Sequence, residues 1–150
     1  MLRSRQVRDS KLNRDIGIDE KGWNTLGDLG YVDEEGYLCL SGRRTDLILS
    51  GGVNIYPREI EDALTLHPAV DDVAVIGIPD AEFGQRVHAV VQPAAPATPG
   101  PEFAATLIAY CRENLAHYKC PTLISFEAVP RLRSGKILRR ELMKAYEDRA

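Results

Sequence analysis

The chain has 150 residues, 44% of them hydrophobic and 27% charged, the proportions of an ordinary globular protein of one domain, or of one domain and part of another. A formal net charge of −3 gives no electrostatic case for nucleic acid, and no apolar run is long enough to span a bilayer. Cys39, Cys111 and Cys120 are far apart and His67, His88 and His117 are isolated, so no metal site is expected; reduced thiols in a reducing cytoplasm are.

Residues 1–21 are polar and highly charged, with no periodicity and no apolar segment of a secretory signal, and read as a connector or a poorly ordered segment. From Leu29 to Ser41 two short strands flank Asp33-Glu-Glu-Gly36, a hairpin signal. Asp46 to Ser50 gives a third strand that ends at Gly51-Gly52. Pro57 suits the first turn of a helix; Ile60, Ala63, Leu64 and His67 follow at helical spacing, and Pro68 closes it. Val70 to Ile78 reads as a buried strand, Asp80 to Gly84 as a turn and Arg86 to Gln92 as a further strand.

The prolines between Pro93 and Pro101 exclude regular structure and mark a surface connector. Phe103, Leu107, Ile108, Cys111 and Leu115 then form one apolar face of a helix. Leu123 to Phe126 predicts a short strand. Ile137 to Glu147 predicts the last helix, with Ile137, Leu138, Leu142 and Tyr146 inward and Arg139, Arg140 and Lys144 outward. The order from Asp46 predicts an α+β fold in two layers: about three helices on a small mixed β-sheet, preceded by a β-hairpin.

Three stretches carry candidate chemistry. In Gly22-Trp-Asn-Thr-Leu-Gly-Asp28-Leu-Gly, a carboxylate between glycines can approach a sugar and accept two hydroxyl hydrogen bonds; a plain Asp-Gly turn explains the same residues. In Ser41-Gly-Arg43-Arg-Thr-Asp46-Leu-Ile-Leu-Ser-Gly-Gly52-Val-Asn-Ile-Tyr-Pro-Arg-Glu-Ile-Glu61, Arg43 can reach a ribose or phosphate with a charge-assisted fork, or be a solvated strand end. Gly51 and Gly52 can line a narrow passage or simply make a tight turn. Glu59 and Glu61 suit the dipole of the following helix.

The third stretch is Pro130-Arg-Leu-Arg-Ser-Gly-Lys136-Ile-Leu-Arg-Arg-Glu-Leu142. A Ser-Gly turn holds the Lys136 ammonium clear of the fold, where it suits a developing negative charge. A cation at the start of a helix faces the positive end of the dipole, which favours an anionic ligand. A phosphate-binding GxxxxGK loop is a poor alternative, because Pro130 stands at its first glycine. Arg131, Arg133, Arg139, Arg140 and Lys144 read as a solvated basic face.

These motifs, in this order over roughly residues 22–150, resemble the acyl-adenylate-forming (AMP-binding) enzymes: acyl-CoA synthetases, adenylation domains and luciferases. Tyr118-Lys119-Cys-Pro121 also matches, as a structural corner ahead of the Lys136 loop. The resemblance implies that Lys136 assists carboxylate attack on ATP, that Asp28 and Arg43 hold the AMP moiety, and that Gly51 and Gly52 line the pantetheine passage. It places a hinge at Thr45, where aspartate or lysine is usual; Leu26 likewise replaces a common threonine. It implies residues 22–45 as the terminal hairpin of a large AMP-binding domain and 46–150 as a mobile C-terminal domain, so that the chain is a fragment, inactive alone.

The large domain, with its phosphate loop and acid pocket, is then the missing partner. ATP, CoA and a fatty or aromatic acid are the expected ligands; magnesium is expected with ATP, with no ligands for it evident in the sequence. Two other readings are the tail of an adenylation domain that loads a carrier protein, and a standalone binding module.

Overall fold

A computed structural model describes residues 28–147 of the chain. The expected connector at 1–21 and the start of the first motif, Gly22 to Gly27, lie outside the described residues. The chain divides into two compact units that part between Asp46 and Leu47.

In the first unit β1 (Asp28–Val32) pairs antiparallel with β2 (Leu38–Arg43). Asp33 makes the turn. Its side chain accepts the N–H groups of Glu35 and Tyr37, at 3.0 and 2.8 Å, and Gly36 supplies the positive φ of 90°. An aspartate that mimics a backbone turn beside a glycine free of Cβ strain is the local reason for the hairpin.

The second unit is a five-stranded mixed sheet in the order β4-β3-β6-β5, with β7 parallel to β6. Its strands are β3 (Ile48–Ser50), β4 (Val53–Ile55), β5 (Val70–Asp80), β6 (Gly84–Pro93) and β7 (Leu123–Phe126). Strand β4 was not expected. Gly51 and Gly52 both take positive φ, 56° and 80°, so the chain reverses there and pairs Ser50 with Val53 instead of ending the strand.

Helix α1 (Pro57–Thr65) and helix α2 (Pro101–Asn114) cover one face of this sheet, and α3 (Arg139–Glu147) the other. The expected two layers are therefore three. Strand β5 shows why: Val73 and Val75 join Ile60, Leu64, Leu107 and Cys111 on one side, while Ala74, Ile76 and Ile78 meet Leu142 on the other. Alternate side chains of a strand point to opposite faces, so an unbroken apolar run needs cover on both. Cys111 and Cys120 are buried free thiols, and burial pushes Cys111 up to about 11.

The last helix starts at Arg139, two residues later than the apolar spacing predicts. Ile137 pairs with Arg131 in an isolated antiparallel bridge. Leu138 acts as the cap: its carbonyl accepts the N–H groups of Glu141 and Leu142, at 3.0 and 3.3 Å.

Candidate functional site

Lys136 is exposed on the return arm of a tight loop. Leu132 N–H donates to the Lys136 carbonyl at 2.9 Å, Gly135 N–H to the Leu132 carbonyl at 2.8 Å, and Leu138 N–H to the Pro130 carbonyl at 2.9 Å. Gly135 takes a φ of 83°, which a side chain would strain. The Ser-Gly turn thus presents the ammonium as expected. Lys136 does not face the helix dipole, because α3 begins only at Arg139 and Lys136 belongs to the bridge region before it.

Two arginines of the same motif pair with carboxylates around this loop; Arg131 stays exposed as expected, while Arg139 is half-buried. Arg131 Nε and Nη2 each donate to an Asp72 carboxylate oxygen at 2.6 Å, while Nη1 donates to the Gly135 carbonyl at 2.5 Å. The hydrogen bond from Arg131 is the main cause that lowers the Asp72 carboxyl below its usual value; the Val73 N–H adds to it. Arg139, expected outward, turns inward: its Nη2 donates to both Glu61 oxygens, at 2.5 and 2.6 Å. Glu61 also accepts the Val75 N–H at 2.8 Å. Burial pushes the Glu61 carboxyl up, against the pull of Arg139 and that N–H. The helix dipole alone does not account for the acids of α1, since Glu59 too has a basic partner. Lys119 Nζ reaches its oxygens at 2.6 and 2.8 Å and ties the His117–Lys119 corner to the start of α1.

In the hairpin unit, Asp28 and Arg43 stand opposite each other in the β1–β2 register, at the open end. The sequence motifs, fifteen positions apart on the chain, become cross-strand neighbours there. Thr45 lies exposed in a short 3-10 turn, Arg44–Asp46, and its hydroxyl is 3.3 Å from Asp46 Oδ1. Gly51 and Gly52 form the exposed β3–β4 turn. Gly51 N–H donates to the Phe83 carbonyl at 2.9 Å, and a Cβ on Gly51 would come within 3.2 Å of the Phe83 ring.

This glycine turn and the Lys136 loop are not brought together. The loop is clamped at Asp72 near the start of β5, and the glycine turn sits by Phe83, past its far end at Asp80. At about 3.3 Å per residue those ends of β5 are about 25 Å apart. The sequence motifs point to the lysine and the glycines but do not reveal that Asp72 and Glu61 pair with the two arginines around the loop.

A small α+β unit that offers a pinned lysine loop at one end of a strand and a glycine turn at the other defines a class of domain able to present two separate surfaces. The chain belongs to the AMP-binding enzyme C-terminal domain family, whose model matches residues 59–136. Among its relatives, the 2-succinylbenzoate–CoA ligase of Bacillus mycoides is 42% identical over 99% of this chain and 31% of its own length. The same ligase of Bacillus subtilis is 40% identical over 97% of this chain and 30% of its own.

Among solved structures, ATP-bound MatB from Rhodopseudomonas palustris superposes with a TM-score of 0.78 at 38% identity, over 86% of this chain and 25% of that one. The Bacillus subtilis o-succinylbenzoate CoA synthetase with its acyl-adenylate gives 0.76 at 41%, over 88% and 26%. The chain thus spans between a quarter and a third of these relatives. No helix among the described residues is long and apolar enough to cross a membrane.

Proposed function

We propose that the chain is the C-terminal part of an AMP-forming acid–CoA ligase, which converts an acid, ATP and CoA to acyl-CoA, AMP and pyrophosphate. The observation that carries this reading is the exposed Lys136 on a loop held by backbone and guanidinium hydrogen bonds, in a chain whose relatives are CoA ligases.

In the first step a carboxylate oxygen attacks the α-phosphorus of ATP, and the bond to the bridging oxygen breaks to release pyrophosphate. The Lys136 ammonium stabilises the charge that builds on the phosphate and carboxylate oxygens. Asp28 accepts hydrogen bonds from the ribose hydroxyls, and Arg43 donates to the AMP moiety; their opposed register supports a shared ligand. In the second step the CoA thiol, having lost its proton, attacks the acyl carbon, and AMP leaves. Gly51 and Gly52 then face the pantetheine arm, and the second unit turns about Thr45 between steps. The two candidate surfaces at opposite ends of β5, and the parting of the two units just after Thr45, support that division of labour. Magnesium accompanies ATP, but no three His, Cys, Asp or Glu side chains gather as ligands among the described residues, and no step here is assigned to it.

For the acid, an aromatic carboxylate of the 2-succinylbenzoate type comes first, since relatives of that name match most of this chain. The missing large domain would hold the pocket. The test is reconstitution: this chain is mixed with, or grafted onto, the large domain of a 2-succinylbenzoate–CoA ligase and assayed for pyrophosphate and acyl-CoA. Activity should require both parts, and Lys136→Ala should lower adenylation by about 100-fold or more while it spares transfer from a synthetic acyl-adenylate. Full adenylation by the alanine variant would remove Lys136 from the chemistry.

A further inference from the structure

We infer that Arg131 and Asp72 are positioning residues for Lys136, and that the Arg131 fork sets where the ammonium stands during adenylation. The inference rests on the reading of Lys136 given above, and it deepens it. The geometry is specific. One guanidinium spans two partners: Nε and Nη2 take both oxygens of Asp72 on β5, and Nη1 takes the carbonyl of Gly135. That carbonyl belongs to the peptide bond whose nitrogen is that of Lys136. The fork therefore couples the base of the lysine to the most buried strand of the unit across a single side chain.

At the base of the loop Val129 and Ile137 pack against the core, but the backbone of the tip makes no hydrogen bond to the sheet. Its hydrogen bonds close the turn on itself, from Leu132 N–H to Lys136, from Gly135 N–H to Leu132 and from Leu138 N–H to Pro130. On the far side, Arg139 grips Glu61 and holds the start of α3, so Lys136 lies between two arginine–carboxylate pairs. Asp72 is itself held, because its Oδ1 accepts the Val73 N–H at 2.8 Å.

Stability does not explain the Arg131 pair well. Its side chains are 37% and 25% exposed, and ion pairs in such positions contribute little to folding. A planar fork that meets a carboxylate and a carbonyl at once is valuable for direction, and a lysine in its place cannot span both.

Two measurements test this. In the full chain, amide hydrogen exchange at Leu132 and Gly135 should quicken severalfold in Asp72→Asn, with the Val90 and Val91 amides of β6 unchanged. Unchanged exchange at the loop would overturn the clamp whatever the chain's function. In the reconstituted ligase, Arg131→Lys and Asp72→Asn should each lower kcat for adenylation by about tenfold, with KM for ATP nearly constant, and spare transfer from a synthetic acyl-adenylate. A wild-type rate in Arg131→Lys would overturn the proposal, because charge without the fork would then suffice. Equal loss of both half-reactions would also overturn it, as the mark of a merely structural role. Should Arg131→Lys fail to fold, the isosteric Asp72→Asn decides the same questions. Lys136→Ala in parallel keeps the two ideas apart: if it retains adenylation, the functional reading fails, while the exchange result still judges the clamp.

Discussion

At the scale of single residues, His88 is the most perturbed titrating group that the proposed chemistry does not use. It is 5% exposed, with Nε2 2.9 Å from Ser125 Oγ and its ring 4.3 Å from that of Tyr146. Ser125 Oγ also meets the Tyr146 hydroxyl at 2.5 Å, and that hydroxyl donates to Glu127. Burial, reinforced by the charge of Arg86, lowers the imidazole from 6.5 to about 4, so it is neutral in the folded protein near pH 7. Between those values the unfolded chain holds the extra proton. Stability therefore rises with pH across this window: the contribution is complete above 6.5 and is lost as pH falls towards 4. The slope is at most about 1.4 kcal/mol per pH unit. The raised Glu61 acts in the opposite sense, but it is common to wild type and variant. His88→Gln cannot titrate, so the stability gap between it and wild type should shift in its favour from pH 6.5 to pH 4 in urea unfolding. Parallel curves would show that His88 is charged in the folded state.

At the scale of elements, the free edge of β5 explains why the last motif is rich in arginine. Val73 and Val75 N–H groups leave the sheet on that side, and each meets a carboxylate at 2.8 Å, Asp72 and Glu61. Those acids in turn receive Arg131 and Arg139. An edge capped in this way cannot pair with another strand. The Glu61–Arg139 pair joins helices from opposite faces of the sheet around that edge, with side chains only 12% and 18% exposed. Arg139→Leu leaves a buried carboxylate without its main partner and should cost about 3 kcal/mol. Glu61→Gln in the same protein removes the charge while its amide oxygen still accepts from Val75, and should restore more than half of that loss. Additive losses in a double-mutant cycle would deny the coupling. Local patterns could not reveal these pairs, since the partners lie 59 and 78 positions apart. What was legible was local: the proline start of α1, the apolar face of α2, the hairpin at Asp33 and the short strand β7. Strand β4 was hidden because two glycines read equally as an end or as a reversal. The start of α3 was misplaced because Ile137 and Leu138 fit a helical stripe, although the backbone of Ile137 pairs with Arg131.

At the scale of the whole molecule, the proposed turning of the second unit as a body between two steps requires that it keep its fold without support from the hairpin. The distribution of the core supports this. Every buried hydrophobic residue found among the residues whose side chains are described lies between Ile48 and Leu142. Both faces of the sheet are closed by helices of the same unit, through Ile60, Leu64, Leu107 and Cys111 on one side and Leu142 on the other. Removal of residues 1–46 takes none of these side chains away. The excised segment 47–150 should then unfold in one cooperative step, with a stability in the range of about 5–15 kcal/mol usual for single domains. Its midpoint in urea should match that of the corresponding transition in the full chain. Amide exchange supplies the local check: the strands β5 and β6 should keep the protection they have in the longer protein. A broad transition, or loss of protection in those strands, would mean that the hairpin completes the fold, and rigid rotation at Thr45 would then expose core instead of a finished surface.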